Sequence, residues 1–247
     1  MTVESKKFCY QSFHVPKDDE NSRFRASNQQ KIFSLLDKIA DPLHSPTYAF
    51  TTLIEAREFV SASNLKFKSS MTRPFYLTEI SLLCGWYKSL TKFIESEFEY
   101  MIIFEDDMWV SEEPNKVTDL ISKVIFEYLP ADADFLNLFV TEVEMQDYLP
   151  EYEVNEYVSK GYNYFCCGML IFPRAGALKL LEVFKGEVSK AIDLIMFRHG
   201  DIGLNFYCLN PRIQVSHFSM WSRMWLGSTI DPDVGKFATE FWGDETL

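Results

Sequence analysis

Glu105, Asp106 and Asp107 follow one another directly after the apolar run Tyr100-Met101-Ile102-Ile103-Phe104, ahead of Met108-Trp109. Five apolar or aromatic residues are too few for a core helix and suit a strand buried on both faces. In open α/β sheets, ligands bind beyond the carboxyl ends of the strands, so three acids at such an end mark a place for chemistry. Adjacent carboxylates repel one another unless something cationic sits among them. A hard divalent cation with oxygen ligands, shared with a phosphate, relieves that repulsion. The acids therefore read as a metal–diphosphate site, and the alternative is a solvated acidic turn. Glu105 and Asp107 stand two apart at the strand end. Asp106 points to the opposite face of a regular strand.

These acids need a scaffold. The 247 residues are enough for one large α/β domain, and 47% hydrophobic with 24% charged residues is ordinary for a globular chain. A net charge of −12 argues against a nucleic-acid surface, which needs clustered Lys and Arg, and equally against an anionic membrane. A nucleotide stays compatible with it, because a metal ion can carry the local positive charge. The aromatic share of 16%, with 22 Phe and 12 Tyr, points to a Phe-rich core. Five cysteines (Cys9, Cys84, Cys166, Cys167, Cys208) show no C-x-x-C spacing and read as buried free thiols in a reducing compartment. With no signal peptide and no run of about 18 apolar residues, the expectation is a cytoplasmic protein without a transmembrane segment, acting at a membrane surface only through a partner.

The order of elements follows from periodicity. Residues 7–15 alternate as a first strand, a polar loop covers 16–22, and Ile32, Leu35, Leu36 and Ile39 mark a helix over 28–39. Arg23 and Arg25 stand between them. An arginine just after the first strand of a nucleotide-binding fold can reach a diphosphate, the alternative being a solvated side chain. His14 and His44 receive no role. Pro42 and Pro46 break the chain, 48–54 reads as a short strand and 55–63 as a brief helix. After Thr72-Arg73-Pro74, Thr78 is the expected N-cap of a helix with Ile80, Leu83, Cys84, Tyr87, Leu90, Phe93 and Ile94 inward. Glu79 in its first turn suits the helix dipole. The strand with its acids comes next, then a helix opened by Ser111-Glu112-Glu113-Pro114 and a strand over 134–140. The acidic, aromatic stretch 141–160 has no clean period and reads as a lid or acceptor-binding loop. A strand over 162–172, a helix from Pro173-Arg174-Ala175-Gly176, a second helix from Val188 and a strand over 204–209 complete the series. Alternating strands and helices give an α/β fold with a mostly parallel sheet and no domain boundary.

The pattern resembles glycosyltransferase family 25, the lipooligosaccharide and collagen-type galactosyl- and glucosyltransferases. Leu77-Thr78-Glu79-Ile80 stands ahead of Tyr100 to Asp107 as the family's Leu-Thr…Glu-Ile helix stands ahead of its Glu-Asp-Asp strand. Gly168-Met169-Leu170-Ile171 to Leu181 is similar to its Gly…Gly-Ala-x-x-Leu-Leu stretch, Ile192-Asp193-Leu194-Ile195-Met196-Phe197 to Val-Asp-x-x-Met-Phe, and Ser228-Thr229-Ile230 to its terminal Ser-x-Ile. Gly85-Trp86 stands where the family has Ser-His, Ser81 replaces the glycine after Glu-Ile, and Ser22-Arg23 approximates an Asp-Arg signature, which marks a divergent member. The resemblance implies one GT-A (Rossmann-like) domain over 1–247 that inverts the anomeric carbon. Its substrates would be a nucleotide-sugar donor, a UDP-hexose foremost, and a glycan or protein-linked acceptor. Mn²⁺ or Mg²⁺ would assist, with Glu105, Asp107 and His217 toward the metal. Arg23, Thr78, Glu79, Glu105 and Asp106 would face the donor. An inverting transferase needs a base to take the acceptor's proton, and the resemblance implies a carboxylate for it. Asp193 matches the family's position for it, and Asp201 in His199-Gly200-Asp201 is the reserve. Two alternatives are a metal-dependent nucleotidyltransferase or sugar-phosphate enzyme, and a binding protein that has kept the fold and lost turnover.

Overall fold

A computed structural model describes residues 7–14, 20–48, 50, 52–63, 65–67, 77–110, 113–162, 167–188, 191–197, 203–214 and 217–220. Residues 72–74, Cys166, Asp201 and the Ser228-Thr229-Ile230 triplet lie outside the described residues.

The chain opens with β1 (Phe8–Phe13) and α1 (Glu20–Leu36), followed by β2 (Ala40–Pro42), α2 (Leu53–Ala62) and β3 (Lys66–Phe67). Then come α3 (Leu77–Glu95), β4 (Tyr100–Glu105), β5 (Met108–Val110) and α4 (Pro114–Lys123), which runs on as a π-helical turn over Val124–Tyr128. The second half holds β6 (Phe135–Asn137), α5 (Glu142–Met145), β7 (Val158–Lys160), β8 (Met169–Pro173), α6 (Arg174–Lys185) and β9 (Glu187–Val188). It closes with α7 (Ile192–Phe197), β10 (Phe206–Leu209), α8 (Pro211–Gln214) and β11 (Phe218–Met220).

Seven strands form one sheet in the order β2-β1-β4-β8-β6-β10-β7, flanked by helices. The α/β class is as the alternation predicts. The sheet is mixed rather than mostly parallel: β1–β2, β1–β4 and β6–β10 pair parallel, whereas β8 runs against both β4 and β6, and β7 against β10. The sequence also misses β2, because Pro42 reads as a breaker. Proline removes a ladder donor, and β2 tolerates it by lying at the sheet edge. None of the described residues of the stretch 48–54 is in a strand. Thr52 instead caps α2, its hydroxyl accepting the Glu55 N–H while the Glu55 carboxylate accepts the Thr52 N–H.

Alternation along β4 separates two apolar layers. Met101 and Ile103 face α3, α6 and α7; Ile102 and Phe104 face α1 and α4. All four are essentially inaccessible, and burying each such side chain contributes about 1.5–3 kcal/mol. On the α3 side Phe135 stacks on Phe172 and Phe206, which accounts for part of the high phenylalanine content. The four described cysteines are buried, with none of them in a disulfide, as expected. Burial pushes the Cys9 and Cys84 thiols up to about 12. Both stay protonated at neutral pH, so iodoacetamide should leave them unmodified in the native protein and label them after unfolding. Since these values lie above the ordinary ~8.5, the stability they carry is intact below that pH and is lost as the pH rises toward about 12. Native-state labelling at either site, read by mass spectrometry, would contradict this burial. Among the described residues no helix is long and apolar enough to cross a membrane.

Candidate functional site

Strand direction defines where a ligand can sit. From β1 the chain crosses to β2 on one side, and from β4 it proceeds to β6 on the other, while β1 and β4 are direct neighbours. Their carboxyl ends therefore flank a switch-point crevice, the usual ligand position of an open α/β sheet. Phe13 is in register with Glu105, which places His14 beside Asp106 across that crevice.

The acids turn there. Residues 106–107 form the turn from β4 into β5, and β5 pairs antiparallel with β11. Continued alternation puts Glu105 on the α3 side with Met101 and Ile103. Asp106, only 9% exposed, goes to the α1 side. Its Oδ1 accepts from Arg25 Nη1 at 2.7 Å, and its Oδ2 meets His14 Nδ1 at 2.6 Å. The cation that three adjacent carboxylates require is thus supplied, at least for the middle one, by the protein itself. Arg25 belongs to a polar patch on the inner face of α1. Asn28 Nδ2 donates to the Met108 carbonyl and Gln29 Nε2 to Ser12 Oγ, so one helix face grips the ends of β1 and β4 together.

Helix α3 reaches the same edge from the other side. Arg174 donates to the Ile94 and Ser96 carbonyls at the end of α3, and its own N–H bonds to Glu99 O next to the start of β4. The last turn of α3 is therefore at the amino edge. Phe13, at the far end of β1, packs on Gly85 and Trp86 in the helix middle. Thr78 precedes Gly85 by two turns, roughly 10 Å, and so projects beyond the strand ends. Thr78 is not the N-cap that the sequence suggests, because α3 already begins at Leu77 and places it within the first turn. Its Oγ1 is buried and has no hydrogen-bond partner among the described residues. Glu79 beside it is buried, at 8% exposure.

The structure thus gathers Thr78, Glu79, Glu105, Asp106 and Asp107 at one edge. Arg23 is exposed on α1, and it is Arg25, buried at 7%, that reaches the strand-end acids. His217 immediately precedes β11, one position beyond the Phe218–Val110 pair of the β5–β11 ladder, so the length of β5, roughly 10 Å, separates it from Asp107. Its Nδ1 donates to the Ile213 carbonyl at 2.8 Å, which orients the ring from α8. Asp193 opens α7 on the α3 side, half-buried, and accepts the Leu194 N–H at 3.0 Å. Among the described residues no three His, Cys, Asp or Glu side chains are grouped to hold a metal ion. Two carboxylates remain a sufficient protein contribution when a diphosphate completes the shell, which is how Mg²⁺-type ions are commonly held.

Residues 141–160 form structure of their own rather than a long loop. Thr141 and Glu144 make a capping box that starts α5, and β7 pairs with β10. The rings of Tyr148, Tyr152 and Tyr162 cluster beside them. Gln214, at 1% exposure, closes this end of the sheet: its Oε1 accepts the Val140 N–H at 2.8 Å and its Nε2 donates to the Val140 carbonyl at 2.6 Å. A side-chain amide here mimics a strand neighbour. Gln214→Ala should cost about 1–3 kcal/mol for each backbone group it orphans, read from urea unfolding. An unchanged midpoint would contradict the pairing.

A scan of the chain against protein-family models and a search of curated proteins return no match.

Proposed function

We propose that the protein is a metal-dependent, inverting glycosyltransferase with one GT-A-type domain. It would move a hexose from a nucleotide diphosphate sugar, a UDP-hexose foremost, to a glycan or other hydroxylated acceptor. The observation that carries this reading is that Glu105 and Asp107 stand at the carboxyl end of β4 beside β1, while α3 starts toward the same edge with a buried Thr78 hydroxyl that has no hydrogen-bond partner among the described residues. A buried hydroxyl without a partner is costly unless a ligand completes it. Glu105 and Asp107 are half-buried acids at the strand end, and they suit Mn²⁺ or Mg²⁺ arriving with the diphosphate. Bound there, the ion would neutralise charge that builds on the departing nucleoside diphosphate. Thr78 and Glu79 would meet the donor from the α3 side, and Asp193 is the carboxylate that the resemblance offers as base. Asp106 supports the site through His14 and Arg25. Arg23 and His217 would join only through donor groups that extend beyond the crevice.

The internal guanidinium at Asp106 favours a second reading, a nucleotide-binding protein without turnover, because part of the acid cluster is balanced without a metal. Thermal-shift screening of UDP-, GDP-, CMP- and dTDP-sugars, with and without Mn²⁺, separates the two once turnover is assayed beside it. One sugar nucleotide should raise the midpoint only with Mn²⁺, by mass action, and Asp107→Ala should abolish the rise. Stabilisation by nucleoside triphosphates alone would point to a nucleotidyltransferase. No shift with any nucleotide, from folded protein, would overturn the proposal.

A further inference from the structure

We infer that His14, held by Asp106, is the group that takes the acceptor's proton, an inference that rests on the transferase reading. His14 follows the last residue of β1 and meets Asp106, which follows the last residue of the neighbouring strand β4. A carboxylate can only accept, so the 2.6 Å contact makes Nδ1 the N–H side of the ring. In the neutral imidazole this leaves Nε2 bare, the tautomer a general base requires. Nε2 bonds to nothing among the described residues, and the side chain keeps 14% exposure at the lip of the crevice. A histidine that serves only packing has no need of one clamped nitrogen and one open one.

The clamp is itself clamped. Arg25 fixes the second oxygen of Asp106 at 2.7 Å, with side-chain exposures of 8% and 11% for the pair. Asp106 is thus a positioning residue, and the chain Arg25–Asp106–His14 sets the plane of the imidazole. In the transfer, the acceptor oxygen bonds to the anomeric carbon and its proton passes to Nε2. The bond from that carbon to the diphosphate oxygen breaks, and its electron pair leaves with the nucleoside diphosphate. Atoms and charge balance without a further reactant. Asp193 would then serve to bind the acceptor rather than to deprotonate it.

The test combines one spectrum and one assay on the full chain. Side-chain ¹⁵N correlation spectra should show His14 protonated at Nδ1 and bare at Nε2, and Asp106→Asn should disturb that tautomer. With the donor identified by thermal shift, His14→Gln, whose amide can still donate to Asp106, should lower kcat about 100- to 10,000-fold. The donor-induced midpoint shift should persist in that variant. Azide, a nucleophile with no proton to lose, should restore turnover as glycosyl azide, and His14→Asn provides a second variant should the first unfold. Wild-type turnover that His14→Gln preserves, or a His14 ring protonated at Nε2 and bare at Nδ1, would overturn this inference and leave the transferase standing. A wild type inert toward every donor would remove both together.

Discussion

Replacing Arg25 by methionine is expected to lower the unfolding free energy by about 3–5 kcal/mol, the cost of leaving a buried carboxylate without its partner. The size follows from burial: Asp106 and Arg25 are 9% and 7% exposed, and the pair closes the ends of two central strands against α1. Among the described residues, His14 would then be left as the neighbour of Asp106 with a ring N–H to give. Arg25→Lys should recover only part, since one ammonium cannot reproduce the planar fork. A double variant, Arg25→Met with Asp106→Leu, should regain most of the loss, because an apolar pair replaces a buried ionic one at little cost. Urea unfolding of the three proteins reads all of this. A single variant within about 1 kcal/mol of wild type would mean that the strand-end cluster is not held as described.

Gly176→Ala should be the most damaging single methyl in the second half of the chain. A Cβ there would sit 1.7 Å from the Asp134 carbonyl oxygen and 2.6 Å from its Cα. Both are backbone atoms at the entry to β6, so neither yields as a flexible side chain would. Helix α6 would have to move away, and with it Arg174, which caps α3, and Lys179, whose Nζ bonds to Asp134. Overpacking of this kind costs about 3 kcal/mol or more when the backbone must shift. Ala175→Gly, exposed one position earlier, should cost about 1 kcal/mol through helix propensity alone. Equal urea midpoints for the two variants would contradict the close approach. This contact also gives a physical reason for the glycine in the Gly-Ala stretch on which part of the resemblance rests.

What the sequence shows well is whatever burial writes in apolar residues. The strand Tyr100 to Phe104 and the inward stripes of α3, α4 and α6 follow from periodicity because those faces meet the core directly. The first half of α1 does not. Its inward stripe is complete, but Arg25, Asn28 and Gln29 occupy the turns before Ile32, Leu35 and Leu36, and a hydrophobic pattern is blind to polar residues at buried positions. Extending the stripe of Ile32 backward by one and two turns would have picked out these side chains, and with them the partner of Asp106. The direction of β8 is hidden for another reason. Met169 to Phe172 are buried on both sides, and such a run reads alike whichever way it points.

The candidate site was legible in part. Three acids at a strand end pointed to the carboxyl edge, and Thr78 and Glu79 reach that edge from α3. His14, a lone histidine, carries no pattern in the sequence. Its significance lies in a contact across 92 positions of sequence, which only the pairing of β1 with β4 creates.

The most direct test of the account uses Mn²⁺ as a paramagnetic probe in ¹H–¹⁵N spectra of the labelled protein. With the stabilising nucleotide sugar present, amide signals of Glu105, Asp106, Asp107 and Thr78 should broaden first, and without nucleotide the effect should be weak. Asp107→Ala should remove it. Broadening centred away from the ends of β1 and β4, or equal with and without nucleotide, would contradict the claim that this crevice is a metal–diphosphate site.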